Sequence, residues 1–89
     1  MATLFVRHNV SDFDSWKRAY DDFDEERRGM GVVADGVYQS DGNPNEVTVY
    51  HEFETMDAAR AFAGSDRLRE VMKSAGVEGQ PSIWFARRV

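Results

Sequence analysis

Glu46–Phe53, EVTVYHEF, is the stretch whose reading decides the fold. Its alternation is uninterrupted: Val47, Val49, His51 and Phe53 fall on one side of an extended chain, and Thr48, Tyr50 and Glu52 on the other. The first side suits burial under a layer of helices. The second, polar yet aromatic, suits neither open water nor an ordinary core, so a sheet containing this strand has a use for both of its faces. Immediately before it, Asp41-Gly42-Asn43-Pro44-Asn45 combines four residue types that favour turns for separate reasons. That turn joins it as a hairpin to Val32–Ser40, a strand made less regular by Gly36.

Upstream, Thr3–His8 alternates Thr3, Phe5 and Arg7 against Leu4, Val6 and His8, a first strand with one more apolar side. Ser11 is the expected N-cap of the helix that follows, with Asp14 in a capping-box position and Asp12 placed favourably for the helix dipole. Phe13, Trp16, Tyr20 and Phe23 then recur at helical spacing and set their rings along one face. Acidic residues from Asp21 to Glu26 cover the outer side, Arg27 and Arg28 suit a helix C-terminus, and Gly29 stops the helix. Downstream, Thr55 caps a helix through Ala58, Ala59, Phe62 and Ala63 that breaks at Gly64-Ser65. Ser65 recaps a further stretch whose stripe is Leu68, Val71, Met72 and Ala75, ending at Gly76. Gly76–Pro81 reads as a link and Ser82–Arg88 as the last strand. The order βαββαβ predicts an α+β, ferredoxin-like domain: one four-stranded antiparallel sheet with two helices, the second broken, on one face.

A single domain of 89 residues has a thin core, burying about 60 to 65 per cent of the surface of its unfolded chain. With no cysteine there is neither a disulfide to reinforce it nor a thiolate for catalysis, so association with a second copy is a natural way to gain burial. The net charge of -5 argues against a nucleic-acid partner, which needs clustered cations. No basic leader opens the chain, and no run approaches the roughly 20 apolar residues of a membrane span, which predicts a soluble cytoplasmic protein without a membrane partner.

Helices cover one sheet face, expected to carry Leu4, Val6, Val47, Val49, Phe53, Ile83 and Phe85. The other carries Phe5, Tyr38, Tyr50 and Trp84 among Thr3, Arg7, Thr48, Glu52 and Arg88. So many rings in water would be unusual for a small monomer, which predicts a homodimer with sheets packed face to face. In it Phe5, Arg7, Tyr50, Glu52 and Trp84 form the interface, and Arg7 pairs with Glu52 at the rim.

VRHNVSDFDSWKRAYD at Val6–Asp21, PNEVTVYHEFETMDAARAF at Pro44–Phe62 and PSIWF at Pro81–Phe85 carry a resemblance that covers essentially the whole chain. It resembles the dimeric α+β barrel proteins, and within them the small antibiotic-biosynthesis-monooxygenase-like or cyclase-like domains. The resemblance implies paired protomers whose sheets share a barrel, with a ligand cavity in each between sheet and helices. Its relatives include cofactor-free oxygenases, haem-degrading enzymes and isomerases, so the fold does not by itself choose a chemistry. The haem-degrading branch places a haem-ligating His on its second long helix, and Asp66–Ala75 contains none. The oxygenase branch uses Asn, Trp, Tyr or Arg around an aromatic substrate, for which Asn9 and Trp16 are the comparable residues.

His8 and His51 are the only histidines, and strand parity puts both on the helix-facing side, on strands expected to be parallel neighbours. His8 suits a general base toward a phenol or carbon acid, with Asn9 orienting an oxygen; the alternative for either histidine is a half-buried, hydrogen-bonded strand-end residue. Trp16 and Tyr20 suit the walls of an aromatic-substrate site, Tyr20 offering its hydroxyl and His51 a further contact, or they simply pack. The aspartates of the first helix lack His or Cys support and read as a solvated face rather than a metal site. No nucleotide-binding or metal-spaced motif is present, so any reaction is expected to run without a cofactor, by positioning a reactive ligand and moving a proton.

Overall fold

The computed structural model describes residues 1–89. Its elements run β1 (Ala2–Val10), α1 (Phe13–Asp22), α2 (Asp24–Gly29), β2 (Ala34–Ser40), β3 (Asn43–Phe53), α3 (Met56–Ala63), α4 (Asp66–Ser74) and β4 (Val77–Arg87). They form the expected ferredoxin-like α+β fold, one antiparallel sheet in the order β2-β3-β1-β4 with the helices on one side. The alternation read from the sequence is the alternation of burial. Leu4, Val6, His8 and Val10 of β1 and Val47, Val49, His51 and Phe53 of β3 are all buried.

The core has two parts. One gathers Ala2, Leu4, Val6, Val32, Phe53, Ala59 and Phe62 beneath α3. The other gathers Val10, Trp16, Val47 and Val49 beneath α1. Thr55 caps α3 by accepting from the amide of Ala58 at 3.1 Å, and Ser65 caps α4 by accepting from Leu68 at 3.3 Å, so the second helix is indeed broken at Gly64-Ser65. A cap of this kind contributes about 1 kcal/mol.

Several boundaries differ from expectation, each for a local reason. Asp12, not Ser11, caps α1, its carboxylate accepting from the amide of Ser15 at 3.0 Å. The first helix is not continuous to Gly29: it is interrupted at Phe23, which turns inward and is buried between α1 and α2. The hairpin turn is tighter than Asp41–Asn45, with Gly42 at φ 81° allowing β3 to begin at Asn43. Gly36 does not break β2: it lies opposite Tyr50, whose ring fills the space that a Cβ would need. The expected link Gly76–Pro81 is mostly strand, because β4 starts at Val77 and absorbs Gly79, at φ 69°, where its register with β1 shifts between Arg7 and Asn9.

One expectation about neighbouring strands is corrected. β1 and β3 are antiparallel, so His8 lies opposite Val47 and His51 opposite Leu4. Within the protomer Arg7 does not meet Glu52: it lies opposite Thr48 and donates to its hydroxyl at 3.1 Å, while Glu52 is 3.9 Å from Arg88. Ile83 and Phe85 do pair with Val6 and Leu4 on the helix side, yet remain 41% and 38% exposed because β4 is an edge strand that the helices do not reach across.

Candidate functional site

Where sheet and helices diverge they enclose a cavity bordered by both parts of the core: Val6 and Phe62 from one, Trp16 and Val49 from the other. α4 closes it with Leu68, Val71 and Met72. The remaining wall is chemically distinct, being made of His8, Tyr20, Arg27 and His51. About 50 Å³ is open to the centres of water-sized molecules, enough for a few waters. A fused-ring ligand needs α4 to move outward. That is the wall least fixed in place, since none of its residues is buried.

The rings form a continuous path along the wall. His8 meets Trp16 edge-on at 5.5 Å, Trp16 stacks on Tyr20 at 5.0 Å, Tyr20 reaches His51 at 6.1 Å, and His51 packs on Phe62 at 5.1 Å. Neither ring nitrogen of His51 has a partner, nor has Nδ1 of His8. Burial, and then the positive charge of Arg27, push the His51 pKa down to about 4. Burial lowers that of His8 as well. Both imidazoles are therefore neutral at neutral pH, each with one nitrogen able to accept a proton.

Tyr20 does not offer its hydroxyl to the cavity. It donates to Asp35 Oδ2 at 2.5 Å, and burial together with that bond drives its pKa far above the ordinary tyrosine value. Asp35 lies opposite His51 across the β2–β3 ladder. Burial raises its pKa, but the Tyr20 hydrogen bond and the charges of Arg27 and Arg28 outweigh this and hold it below the usual carboxylate value. Arg27 is only 2% exposed. Its guanidinium lies 3.6 Å from the centre of the Tyr20 ring, donates to the Tyr20 carbonyl, and pairs with Asp24 at 2.9 Å and Asp35 at 3.3 Å. Nε of Arg27 alone is left without a partner.

Of the residues singled out in the sequence, His8, Trp16, Tyr20 and His51 are brought together on this wall. Asn9 is not: parity turns it to the opposite face, where it is exposed beside Arg7, Glu46 and Glu78 in a polar depression at the register shift. His8 borders that depression as well as the cavity. Phe5, Arg7, Tyr50, Glu52 and Trp84 lie on the face away from the helices, where Phe5 and Trp84 stack at 5.4 Å. Sequence reasoning missed Arg27 and Asp35. Arg27 continues the helical spacing of Trp16, Tyr20 and Phe23, and Asp35 has the helix-facing parity of its strand, so the signals were spacing and parity carried by charged residues. No group of three or more His, Asp or Glu side chains is arranged to hold a metal ion, and no helix is long and apolar enough to cross a membrane.

A ferredoxin-like sheet enclosing an aromatic, histidine-bearing cavity under its helices defines a class of small α+β proteins. Within that class the chain belongs to the antibiotic biosynthesis monooxygenase family, whose model matches residues 9–74. Solved structures agree on the fold. A monooxygenase-type protein of this family from Bordetella bronchiseptica superposes with a TM-score of 0.81 at 16% identity, covering 99% of this chain and 96% of its own. A conserved protein from Methanosarcina mazei Go1 gives 0.76 at 19% identity, over 99% and 92%. SnoaB, a cofactor-independent oxygenase from Streptomyces nogalater, gives 0.74 at 13% identity, over 99% and 94%. No curated protein matches the chain in sequence.

Proposed function

We propose that the chain is a homodimeric small-molecule-binding protein that acts on an aromatic or polyketide-like compound without a cofactor, as a monooxygenase or a cyclase/isomerase. The observation that carries this reading is the pairing of an apolar, ring-lined cavity with two neutral histidines, of which both ring nitrogens of His51 and Nδ1 of His8 are buried without protein partners. Buried polar groups are nearly always satisfied, so such nitrogens are natural partners for a polar ligand atom. Family membership and the likeness to SnoaB point the same way.

His8 is the base of this reading. It has a neutral ring, its neighbour Trp16 offers a face for the substrate ring, and the polar depression on its other side gives an abstracted proton a way out. Asn9 lies outside the cavity and takes no part. An oxidation without a cofactor draws all its electrons from the substrate. A methylene activated by a neighbouring phenolate becomes a ketone, one atom of O₂ entering the product and the other leaving as water. Cyclisation needs only the first proton transfer. The two copies associate through the faces bearing Phe5, Tyr50 and Trp84, with a cavity in each protomer.

A second reading, a dimerising module without catalysis, is favoured by the small volume of the closed cavity. Oxygen uptake in the presence of 1,8-dihydroxynaphthalene and of anthrone-type phenols separates the two. The enzymatic reading predicts protein-dependent uptake that falls at least about 100-fold in His8→Ala, the usual scale for loss of a general base. Uptake equal to the protein-free control for every phenol leaves the module as the better account.

A further inference from the structure

We propose that α4 is a two-position lid over the cavity. A latch between Arg67 and Glu26 holds it closed. When the latch releases, the stripe of Leu68 and Met72 rolls away from the cavity into the groove between α4 and β4, opening a mouth between α4 and α2. The inference rests on the cavity reading only for the purpose of the movement, since the movement itself needs no ligand.

The placement of three side-chain pairs on α4 carries it. Residues four apart share a helix face, and here each pair borders a different space. Val71 and Ala75 line the cavity alone, Arg69 and Lys73 line the groove alone, and Leu68 and Met72 line both. α4 is thus the partition between two spaces, and none of its residues is buried. About 380 Å³ of the groove is open to the centres of water-sized molecules, against about 50 Å³ in the cavity, so the side with room to receive a side chain is the groove. Its floor includes Val77 and Ile83 of β4, the latter 41% exposed. A Leu68–Met72 stripe that turns onto this floor exchanges one apolar surface for another and covers Ile83 as it does so, which keeps the loss of burial small.

The ends of α4 define the axis of the movement. The N-terminal end is joined through Gly64-Ser65 to α3, which is fixed by buried Ala59 and Phe62. The C-terminal end is pinned at Gly76, whose carbonyl accepts from the Ser11 amide at 3.0 Å and which packs so closely on Ser11 that a Cβ would lie 2.6 Å from the Ser11 Oγ. Between these pins, the ion pair that ties α4 to another element is that of Arg67 with Glu26 of α2. Both side chains are half exposed, so the latch is weak and open to screening by salt. The Arg67 guanidinium also lies 5.8 Å from the ring centre of Phe23, a cavity residue, which places the latch at the mouth.

The test is methyl relaxation dispersion on the native chain without ligand, at low salt and at about 0.5 M NaCl, where exposed ion pairs are screened. Leu68, Val71 and Met72 and, across the groove, Ile83 are expected to report one shared process on the microsecond-to-millisecond scale of lid motions, with Leu4 and Val47 in the core quiet. Salt is expected to raise the open population about threefold, the scale of an exposed ion pair. Glu26→Lys does the same at low salt, and adding Arg67→Glu, which restores the pair with its charges exchanged, brings the population back. Ile83→Ser, which takes apolar surface from the receiving floor, lowers it; should that variant fail to fold, the salt response of the native chain and the charge exchange carry the same information. Quiet α4 methyls, exchange in α4 that leaves Ile83 still, as simple fraying would, or a population indifferent to salt and to charge exchange overturns the lid. None of these outcomes touches the cavity reading, which fails instead if 1-naphthol leaves Trp16 unmoved.

Discussion

His51 is the residue whose chemistry most constrains this protein, because it is buried, uncharged and unpartnered. Its folded pKa of about 4 lies below the 6.5 of an unhindered histidine, so between those values the unfolded chain holds a proton that the folded chain lacks. Folding stability therefore falls as pH drops from 6.5 toward 4 and levels off below the folded value. The gap corresponds to roughly 3 kcal/mol, and His8 contributes in the same direction. His51→Phe is expected to flatten this dependence, removing most of the stability lost between about pH 6.5 and 4.5 while costing little at neutral pH, since it also removes two unsatisfied nitrogens. Urea denaturation at both pH values checks it, and an unchanged pH slope would count against a buried neutral His51. Both histidines, with Trp16 and Tyr20, were legible from strand parity and helical spacing. Arg27 and Asp35 were not, because a charged residue near a helix end or in a polar strand reads as solvent-facing until its counter-charge is known.

Among the elements, α4 is the one on which access depends. It has no buried residue, packs on the rest through partly buried Leu68, and is tied to α2 by Arg67, which grips Glu26 with two hydrogen bonds of 2.9 Å. Few buried contacts mean a low local cost of opening. Amide exchange in α4 is thus expected to be faster than in α1, whose Trp16 is buried, and Arg67→Ala is expected to speed it further without changing α1. Equal protection of the two helices would contradict α4 as the moving wall. The break before α4 could be read from the sequence because Ser65 is a capping residue following a glycine. The interruption at Phe23 could not, since no Gly, Pro or cap marks it and the burial of the ring imposes it. The start of β4 was hidden for the opposite reason: Gly79 and Pro81 look like a link, and it is the register shift against β1 that lets a strand accommodate them.

For the whole molecule, the sheet leaves one face without a cover, with Trp84 42% and Tyr38 62% exposed. That composition was readable from parity alone, as was the fold; the distribution of exposure along the β4 edge was not, because it depends on how far the helices reach. If two such faces meet, sedimentation gives a dimer for the native chain and a monomer for Trp84→Asp, which places a charge in the centre of the patch. A native chain that stays monomeric at high micromolar concentration would remove the dimer from the proposal. The central claim, that the space between sheet and helices takes an aromatic ligand, is tested most directly by titrating 1-naphthol and mapping the response residue by residue with NMR. Saturable shifts at the Trp16 indole, the His8 ring and the Leu68 and Val71 methyls are the expected result, with Trp84 on the other face unmoved. No shift at Trp16 up to the solubility limit of the probe, or shifts confined to the face of Trp84, would contradict it.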